Sequence, residues 1–363
     1  MIRFQFIDQR AQLDRLASEL EGASELALDT EFMRERTYYP KLCLVQLATA
    51  NAIACIDPLA LGDVAHLSSL LARGATPKVA HAARQDVEAL LTRSVEPPAP
   101  LFDTQIAAAL LGMQPQIGYG ELVHKVLGAK LAKAHARTDW SVRPLSPEQL
   151  EYAADDVRHL LPLHEVLRRD LEKRDRLHWF DAEMTRAGAT FATRLSPADA
   201  WQRLKGLESL DPRRRATALA LSRWREARAM QRDRPRGWIL SDEALYDIVR
   251  ALPQDRAQLE RLRSLPPGVI ENCGVDLLAA VQGSAHLTSS EPQRRAPRPD
   301  PAAQARLKLL AATVKRIAEQ LQLTPEVLAT RRDLQQLLNG DTDVAPLKGW
   351  RREVVGEALL SLL

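Results

Sequence analysis

Residues 25–32 read ELALDTEF: an apolar stem of Leu26, Ala27 and Leu28 runs into Asp29 and Glu31. Over 25–31 the pattern predicts a strand. Side chains alternate along a strand, so Asp29 and Glu31 leave it on the same face. Two carboxylates at the end of such a stem repel each other unless a cation lies between them, and hard oxygen donors of this kind suit Mg²⁺ or Mn²⁺. An Asp-x-Glu triplet alone is equally compatible with a solvent-exposed strand end. What the rest of the chain brings beside it decides between the two.

Outward from this strand, the first half alternates strand and helix signals. Residues 9–21 set Leu13, Leu16, Ala17 and Leu20 on one helical face. After the acidic strand, KLCLVQLAT (41–49) and NAIACID (51–57) predict an antiparallel meander. LSSLLAR (67–73) reads as a helix, PKVAHAA (77–83) as a short buried strand and QDVEALLTR (85–93) as a helix. Asp103 stands as an N-cap ahead of TQIAAALLG. Residues 146–174 read as helix, opened by Ser146-Pro147 and bent or broken near Pro162. Strands first, then alternating helices and strands, predict an α/β domain with a mixed sheet.

Beyond residue 175 the strand signal disappears. The expected division is 1–175 α/β, 195–283 helical, 284–301 a Ser/Pro/Arg-rich linker and 302–363 helical. Direct similarity between the two helical stretches is too weak to define a repeat. The 363 residues are 45% hydrophobic and 27% charged, a composition that suits globular domains with real cores. Net charge is +3; residues 1–194 are net −3, while 195–289 and 290–363 are each +3. Three cysteines without a CxxC pair exclude a disulfide framework and a cysteine zinc site. No secretory leader and no apolar run of about 18 residues is visible, so a cytoplasmic protein without membrane partners is expected.

Two further acids share the pattern's chemistry. HAARQDVEALL places Asp86 at a helix start after a buried strand, where an acid is also explained by the helix dipole. EYAADDVRHLL places Tyr152 and Asp156 four residues apart on one helical face, with Asp155 turned about 100° away. A core tyrosine beside an ordinary helix acid is the plainer account of that pair in isolation. The order is nevertheless specific: DxE on a first strand, Asp86 55 positions after Glu31, and Tyr152 66 positions after Asp86 in a YxxxD motif.

This set resembles the DEDD superfamily of 3′–5′ exonucleases in its tyrosine-containing branch; the histidine branch would carry His at the position of Glu151. DTEFMRERTYYPKLCLVQLA, LFDTQIAA and TDWSVRPLSPEQLEYAADDV resemble the ribonuclease D family, and WREARAMQRDRPRGWILSDEALYDIV resembles an HRDC domain. The resemblance covers most of the chain and is looser over 302–363. It implies an α/β ribonuclease H-like exonuclease domain with a mixed sheet, followed by two all-α HRDC-type domains. It implies Asp29, Glu31, Asp86 and Asp156 as ligands of two divalent metal ions, Mg²⁺ or Mn²⁺, and Tyr152 as the catalytic residue that orients the attacking water. It implies an exoribonuclease that releases nucleoside 5′-monophosphates from RNA, chiefly tRNA precursor 3′ ends. The chemistry is coherent, because a phosphodiester anion resists attack and two cations roughly 3.5–4 Å apart offset charge on both the entering and leaving oxygens.

Gln46, Phe32 and Arg143 are candidate substrate contacts: Gln46 on the strand beside Asp29, Phe32 against a terminal base and Arg143 on a phosphate. Two have a plainer alternative, Phe32 as packing and Arg143 as a local salt bridge. Trp140 is expected in the core and Asp139 as a local cap. Lys133, His135 and Arg137 form a polar loop without assigned chemistry. The histidines show no HExxH spacing, and neither a GxGxxG nor a Walker sequence is present, which leaves helicase and kinase readings unsupported. Residues 213–236 hold nine arginines against Glu226 and Asp233, a strip suited to a nucleic-acid backbone. The chain uses 40 Arg to 10 Lys overall, so a solvated face explains the strip equally well. A DNA exonuclease and an RNA-binding scaffold with an inactive nuclease are the competing functions. No protein partner and a monomer are expected.

Overall fold

The computed structural model describes residues 4–20, 22–72, 76–131, 138–191, 196–284 and 301–363. The expected linker is described only at Ser284 and Pro301, and Lys133, His135 and Arg137 also lie outside the described residues. The chain forms two compact units. One comprises Met1–Met33, Lys41–Thr193 and Asp300–Leu363; the other comprises Arg34–Pro40 and Arg194–Pro299.

In the first unit the elements run β1 (Phe4–Ile7), α1 (Arg10–Leu20), β2 (Leu26–Met33), β3 (Lys41–Ala48), β4 (Ile53–Ile56), α2 (Pro58–Leu61), α3 (Leu67–Leu71), β5 (Lys78–Ala80), α4 (Arg84–Leu91), β6 (Leu101–Asp103), α5 (Thr104–Leu110), α6 (Tyr119–Leu127), α7 (Pro147–Arg158), α8 (Leu160–Lys173) and α9 (Leu177–Phe191). The strands make one sheet in the order β1-β4-β3-β2-β5-β6. β2, β3 and β4 are the expected antiparallel meander, while β1 on β4 and β5 and β6 beyond β2 are parallel. The mixed sheet is as expected, but the acidic strand is second in the chain: FQFI, four residues at the sheet edge, is too short to show a period. β6 and α6 were likewise not assigned from the sequence.

The sheet separates two cores. Leu26, Leu28, Val45, Leu47 and Ile56 pack on α1, α3 and α4 through Leu13, Leu16, Leu67, Leu71 and Leu90. Ala27, Ala48, Ile53 and Cys55 face the other side, with Ala107, Ala153, Val157 and Leu163 from α5, α7 and α8. The expected helix over 146–174 is broken at His159, between α7 and α8. Pro162 therefore falls in the first turn of α8, where its missing N–H costs no helical bond.

The C-terminal helices α15 (Pro301–Leu321), α16 (Pro325–Leu328), α17 (Arg331–Leu338), α18 (Gly349–Arg351) and α19 (Glu357–Leu360) belong to this same unit. Leu310, Val314, Leu328, Leu334, Val355 and Leu359 continue the core of Phe102, Leu167 and Trp179. The Trp179 and Trp350 rings stack at 4.3 Å and 11°. The Arg176 guanidinium donates to the carbonyls of Leu110 (2.7 Å) and Leu321 (2.5 Å). Gly112, at φ +94, lies so close to Gln322 that a Cβ would strike its carbonyl oxygen.

The second unit has its own core, built by α10 (Pro212–Arg232), α11 (Arg236–Ile239), α12 (Asp242–Ala251), α13 (Arg256–Glu260) and α14 (Pro267–Gly283). The arginine strip is not one face. Arg225 is buried and donates to Leu240 O and Asp242, whereas Arg213, Arg223 and Arg232 are exposed. Glu226, 1% exposed, accepts from Arg203 at 2.9 Å and from the Tyr38 hydroxyl, and Asp233 accepts the Tyr38 and Tyr39 N–H groups at 3.0 Å each. Trp224 is half-buried against this core and Trp238 is 60% exposed. Among the described residues, no helix is long and apolar enough to cross a membrane.

Candidate active site

β2 carries Asp29 opposite Gln46 and Glu31 opposite Leu44, and the register shifts between Glu31 and Phe32. The two acids leave the strand on the face that α7 covers, and α7 supplies Asp156. Carboxylate oxygens of Asp29, Glu31 and Asp156 all lie within 4.8 Å of one another, with each residue partly exposed. Residues 127 positions apart in sequence thus share one pocket of oxygen atoms.

Asp86 stands in the first turn of α4, 6% exposed, and accepts the Thr30 hydroxyl at 2.6 Å. Thr30 lies between the two acids of β2, so this bond fixes Asp86 to the strand that holds them. The Asp86 charge acts on Asp29, Glu31 and Asp156 alike. The Tyr152 hydroxyl hydrogen-bonds the Asp156 carboxylate one turn away on α7. Its ring packs at 6.1 Å from Trp140, which is buried as expected.

Burial without compensating positive charge dominates the electrostatics. Asp29 is pushed well above the usual carboxylate range by burial, then by Asp86, Asp156 and Glu31. Glu31 is raised to about 9 by burial, then by Asp156 and Asp86. Asp86 rises to about 7 through burial, although the Thr30 hydroxyl opposes the rise. Asp156 also rises to about 7, through burial and then Asp155 and Asp86, with the Tyr152 bond opposing. Burial and the same carboxylates push the Tyr152 phenol upward, so it keeps its proton at neutral pH and donates. Carboxylate oxygens of Asp29, Glu31 and Asp156 gathered within 4.8 Å, with Asp86 beside them, form a set of hard oxygen donors that fits a divalent cation.

The three substrate candidates fare differently. Arg143 is committed elsewhere, which corrects its reading as a phosphate contact. Its five N–H donors go to both Asp57 oxygens (2.6 and 2.8 Å) and to the carbonyls of Trp140, Val142 and Cys43. Phe32 packs against the core cluster of Leu28 and Val45. Gln46, opposite Asp29, is fully buried, and neither its Oε1 nor its Nε2 has a hydrogen-bond partner. Asp139 caps Ser141 as expected, at 2.9 Å.

Two residues near the acids escaped the sequence reading. Asp103, taken only as a cap, does accept Gln105 N at 2.8 Å, but it also holds the Ala82 and Ala83 N–H groups at 3.0 Å each. It thereby fixes the loop leading to Asp86, where Ala82 adopts φ 55. His81 in that loop contacts Thr104 Oγ1 (2.9 Å) and Ile117 O (3.0 Å). Both residues lie within strings already noted, HAARQD and LFDTQ, yet nothing in their spacing says that one loop binds the other.

Comparison with known proteins agrees with this geometry. Residues 4–172 match a 3′-5′ exonuclease family, 215–281 an HRDC domain, and 301–359 the C-terminal HRDC domain of ribonuclease D. The chain is 40% identical to a ribonuclease D of Granulibacter bethesdensis, over 98% of this chain and 91% of that one. It is 39% identical to one of Nitrobacter hamburgensis, over 98% and 94%. It is also similar to the crystal structure of Escherichia coli RNase D, an exoribonuclease involved in structured RNA processing. That match has a TM-score of 0.90 at 32% identity and covers 100% of this chain and 99% of the other.

Proposed function

The chain belongs to the ribonuclease D family, and on that premise we propose that it trims the 3′ ends of structured RNAs, tRNA precursors foremost, by metal-dependent hydrolysis that releases nucleoside 5′-monophosphates. It is a 3′–5′ exoribonuclease. The observation that carries the reading is the convergence of Asp29, Glu31 and Asp156, with Asp86 beside them, into one group of oxygen donors.

We assign Asp29, Glu31, Asp86 and Asp156 to two divalent ions, Mg²⁺ or Mn²⁺, for which four carboxylates offer enough negative charge. When bound, such ions supply activation of water and neutralisation of charge on the phosphate and the leaving oxygen. Asp29, facing both Glu31 and Asp156, is the ligand best placed to serve both ions. Asp86 is already bonded to Thr30 and contributes through its remaining oxygen. Glu31, beside the register shift of β2, is suited to accept a hydrogen bond from the terminal 3′ hydroxyl. Tyr152, protonated, orients the water and does not take its proton. The exposed arginines at 213, 223 and 232 suit the RNA backbone, with salt-sensitive and sequence-independent affinity. A reducing cytoplasm agrees with the three cysteines, all free and buried.

The test is digestion of a 3′-extended tRNA with Mn²⁺, with and without chelator, followed by product sizing. Stepwise shortening and mononucleotide release, abolished by the chelator, are expected. Binding without shortening would leave an RNA scaffold, and faster loss of single-stranded DNA than of RNA would leave a DNA exonuclease.

A further inference from the structure

We propose that Tyr119 is a positioning residue for Asp156: its hydroxyl, inserted into the backbone ladder at the end of α7, sets the turn that aims that carboxylate at the metal site.

In an unbroken helix the His159 N–H would bond the Asp155 carbonyl four residues earlier, spanning Asp156. Here the chain turns at His159 (φ −103, ψ −1), whose N–H is shared between Val157 O and the Tyr119 hydroxyl. The Tyr119 hydroxyl occupies the opened step. It donates to Asp155 O at 3.3 Å and accepts from His159 N at 3.3 Å. One long contact lies on each side of the oxygen, as expected of a group wedged between two partners. A side chain entering the ladder is a recognised cause of a helix kink or end. Here that end falls at His159, three residues after Asp156, and α8 starts at Leu160.

Tyr119 is itself held. It opens α6 directly after Gly118, and the preceding Ile117 carbonyl is contacted by Gln105 Nε2 and His81 Nε2, each at 3.0 Å. The His81 ring lies 5.6 Å from the Tyr119 ring. His81 belongs to the loop that Asp103 grips and that ends in Asp86. A continuous brace therefore runs from the segment of Asp86, through His81, Ile117 and Tyr119, to the backbone on either side of Asp156. Without the hydroxyl, Asp155 O and His159 N are free to bond each other, which rewinds the last turn and rotates Asp156. Groups that orient metal ligands in this way are worth about 10- to 100-fold in metal affinity.

This inference rests on the assignment of Asp156 as a metal ligand, so it is tested by Mn²⁺ titration without RNA, followed by electron paramagnetic resonance. Tyr119→Phe keeps the ring and removes only the hydroxyl. Val314→Ala, in the core near the C-terminus, serves as a control for general loss of stability. The expected result is that wild type and Val314→Ala bind alike, while Tyr119→Phe binds about 10-fold more weakly and needs correspondingly more Mn²⁺ for half-maximal cleavage. Equal affinity in Tyr119→Phe and wild type overturns the proposal, as does a Tyr119→Phe chain that cannot be purified folded, since the hydroxyl would then serve general stability. Failure of wild type itself to bind Mn²⁺ has a different signature and removes the metal assignment together with this inference.

Discussion

Glu183, buried, and Asp29, partly buried, are carboxylates of the same unit, and the chain treats them in opposite ways. Glu183, on α9, is 7% exposed and accepts from Arg186 Nη2 (2.5 Å), Trp350 Nε1 (3.1 Å) and Arg351. Burial pushes its pKa up, but Arg351 and then Arg186 outweigh that and hold it below the usual range. Asp57 repeats the arrangement, with burial outweighed by Arg143. Asp29 is raised by burial, and its charged neighbours are three more acids. The acids that build the fold arrive with a counter-ion from the chain. Those of the candidate site face one another instead, an arrangement that suits a counter-ion from solution.

The largest effect should come from Asp29→Asn. Loss of a ligand worth several kcal/mol to the transition state lowers the turnover number by about 10³-fold or more, while RNA binding measured by filter retention stays near wild type. The sharper point is that the same variant should melt higher than wild type without metal at alkaline pH, where the wild-type acids are driven to ionise beside one another. Glu183→Ala should do the reverse. Removing one partner of a buried pair costs about 3–5 kcal/mol, seen as a lower denaturation midpoint, with normal turnover per folded molecule. If both variants destabilise the metal-free chain, the contrast is false.

Tyr152→Phe tests the role of the hydroxyl. Turnover should fall about 10- to 100-fold, below the range of full acid–base catalysis, while Mn²⁺ still binds, at most about 10-fold more weakly through loss of the bond to Asp156. A rate equal to wild type would remove Tyr152 from the chemistry. The smallest effect concerns pH. Glu31 is raised to about 9, and Asp86 and Asp156 to about 7. A carboxylate with a raised folded pKa binds more protons folded than unfolded, so stability falls as pH rises. The loss begins near the unfolded value of about 4 and is complete above about 9. Metal-free protein should therefore lose at least about 1 kcal/mol between pH 5 and 8.5, a drop of roughly 2–4 °C in melting temperature, and Mg²⁺ should reverse it. A melting temperature that rises over this window would contradict the burial argument.

The site's main parts were legible because they follow local periods. Asp29 and Glu31 share a face by strand alternation, and Tyr152 and Asp156 by helical spacing. Asp86 was readable only as a member of the ordered set. What escaped was decided by contacts between segments far apart in sequence. Arg143 looks like a phosphate ligand until Asp57, 86 residues earlier, takes its guanidinium. Asp103 reads as a helix cap and also ties down the loop of His81. Tyr119 is an ordinary helix opener in sequence, and only the break at His159 gives it a task. The C-terminal helices read as a separate domain, yet Trp350 stacks on Trp179 and Arg351 meets Glu183, so they share the nuclease core. That docking depends on single aromatic and charged residues with no periodic signal.

The central claim is that four acids, drawn from β2, α4 and α7, form a cage completed by cations. Calorimetric titration of Mn²⁺ into metal-free wild type and into Asp29→Asn, without nucleic acid, tests it most directly. The account predicts saturable binding by wild type and its loss, or a weakening of about 100-fold, in the variant. Equal binding by the two proteins, or no binding by either, would contradict it.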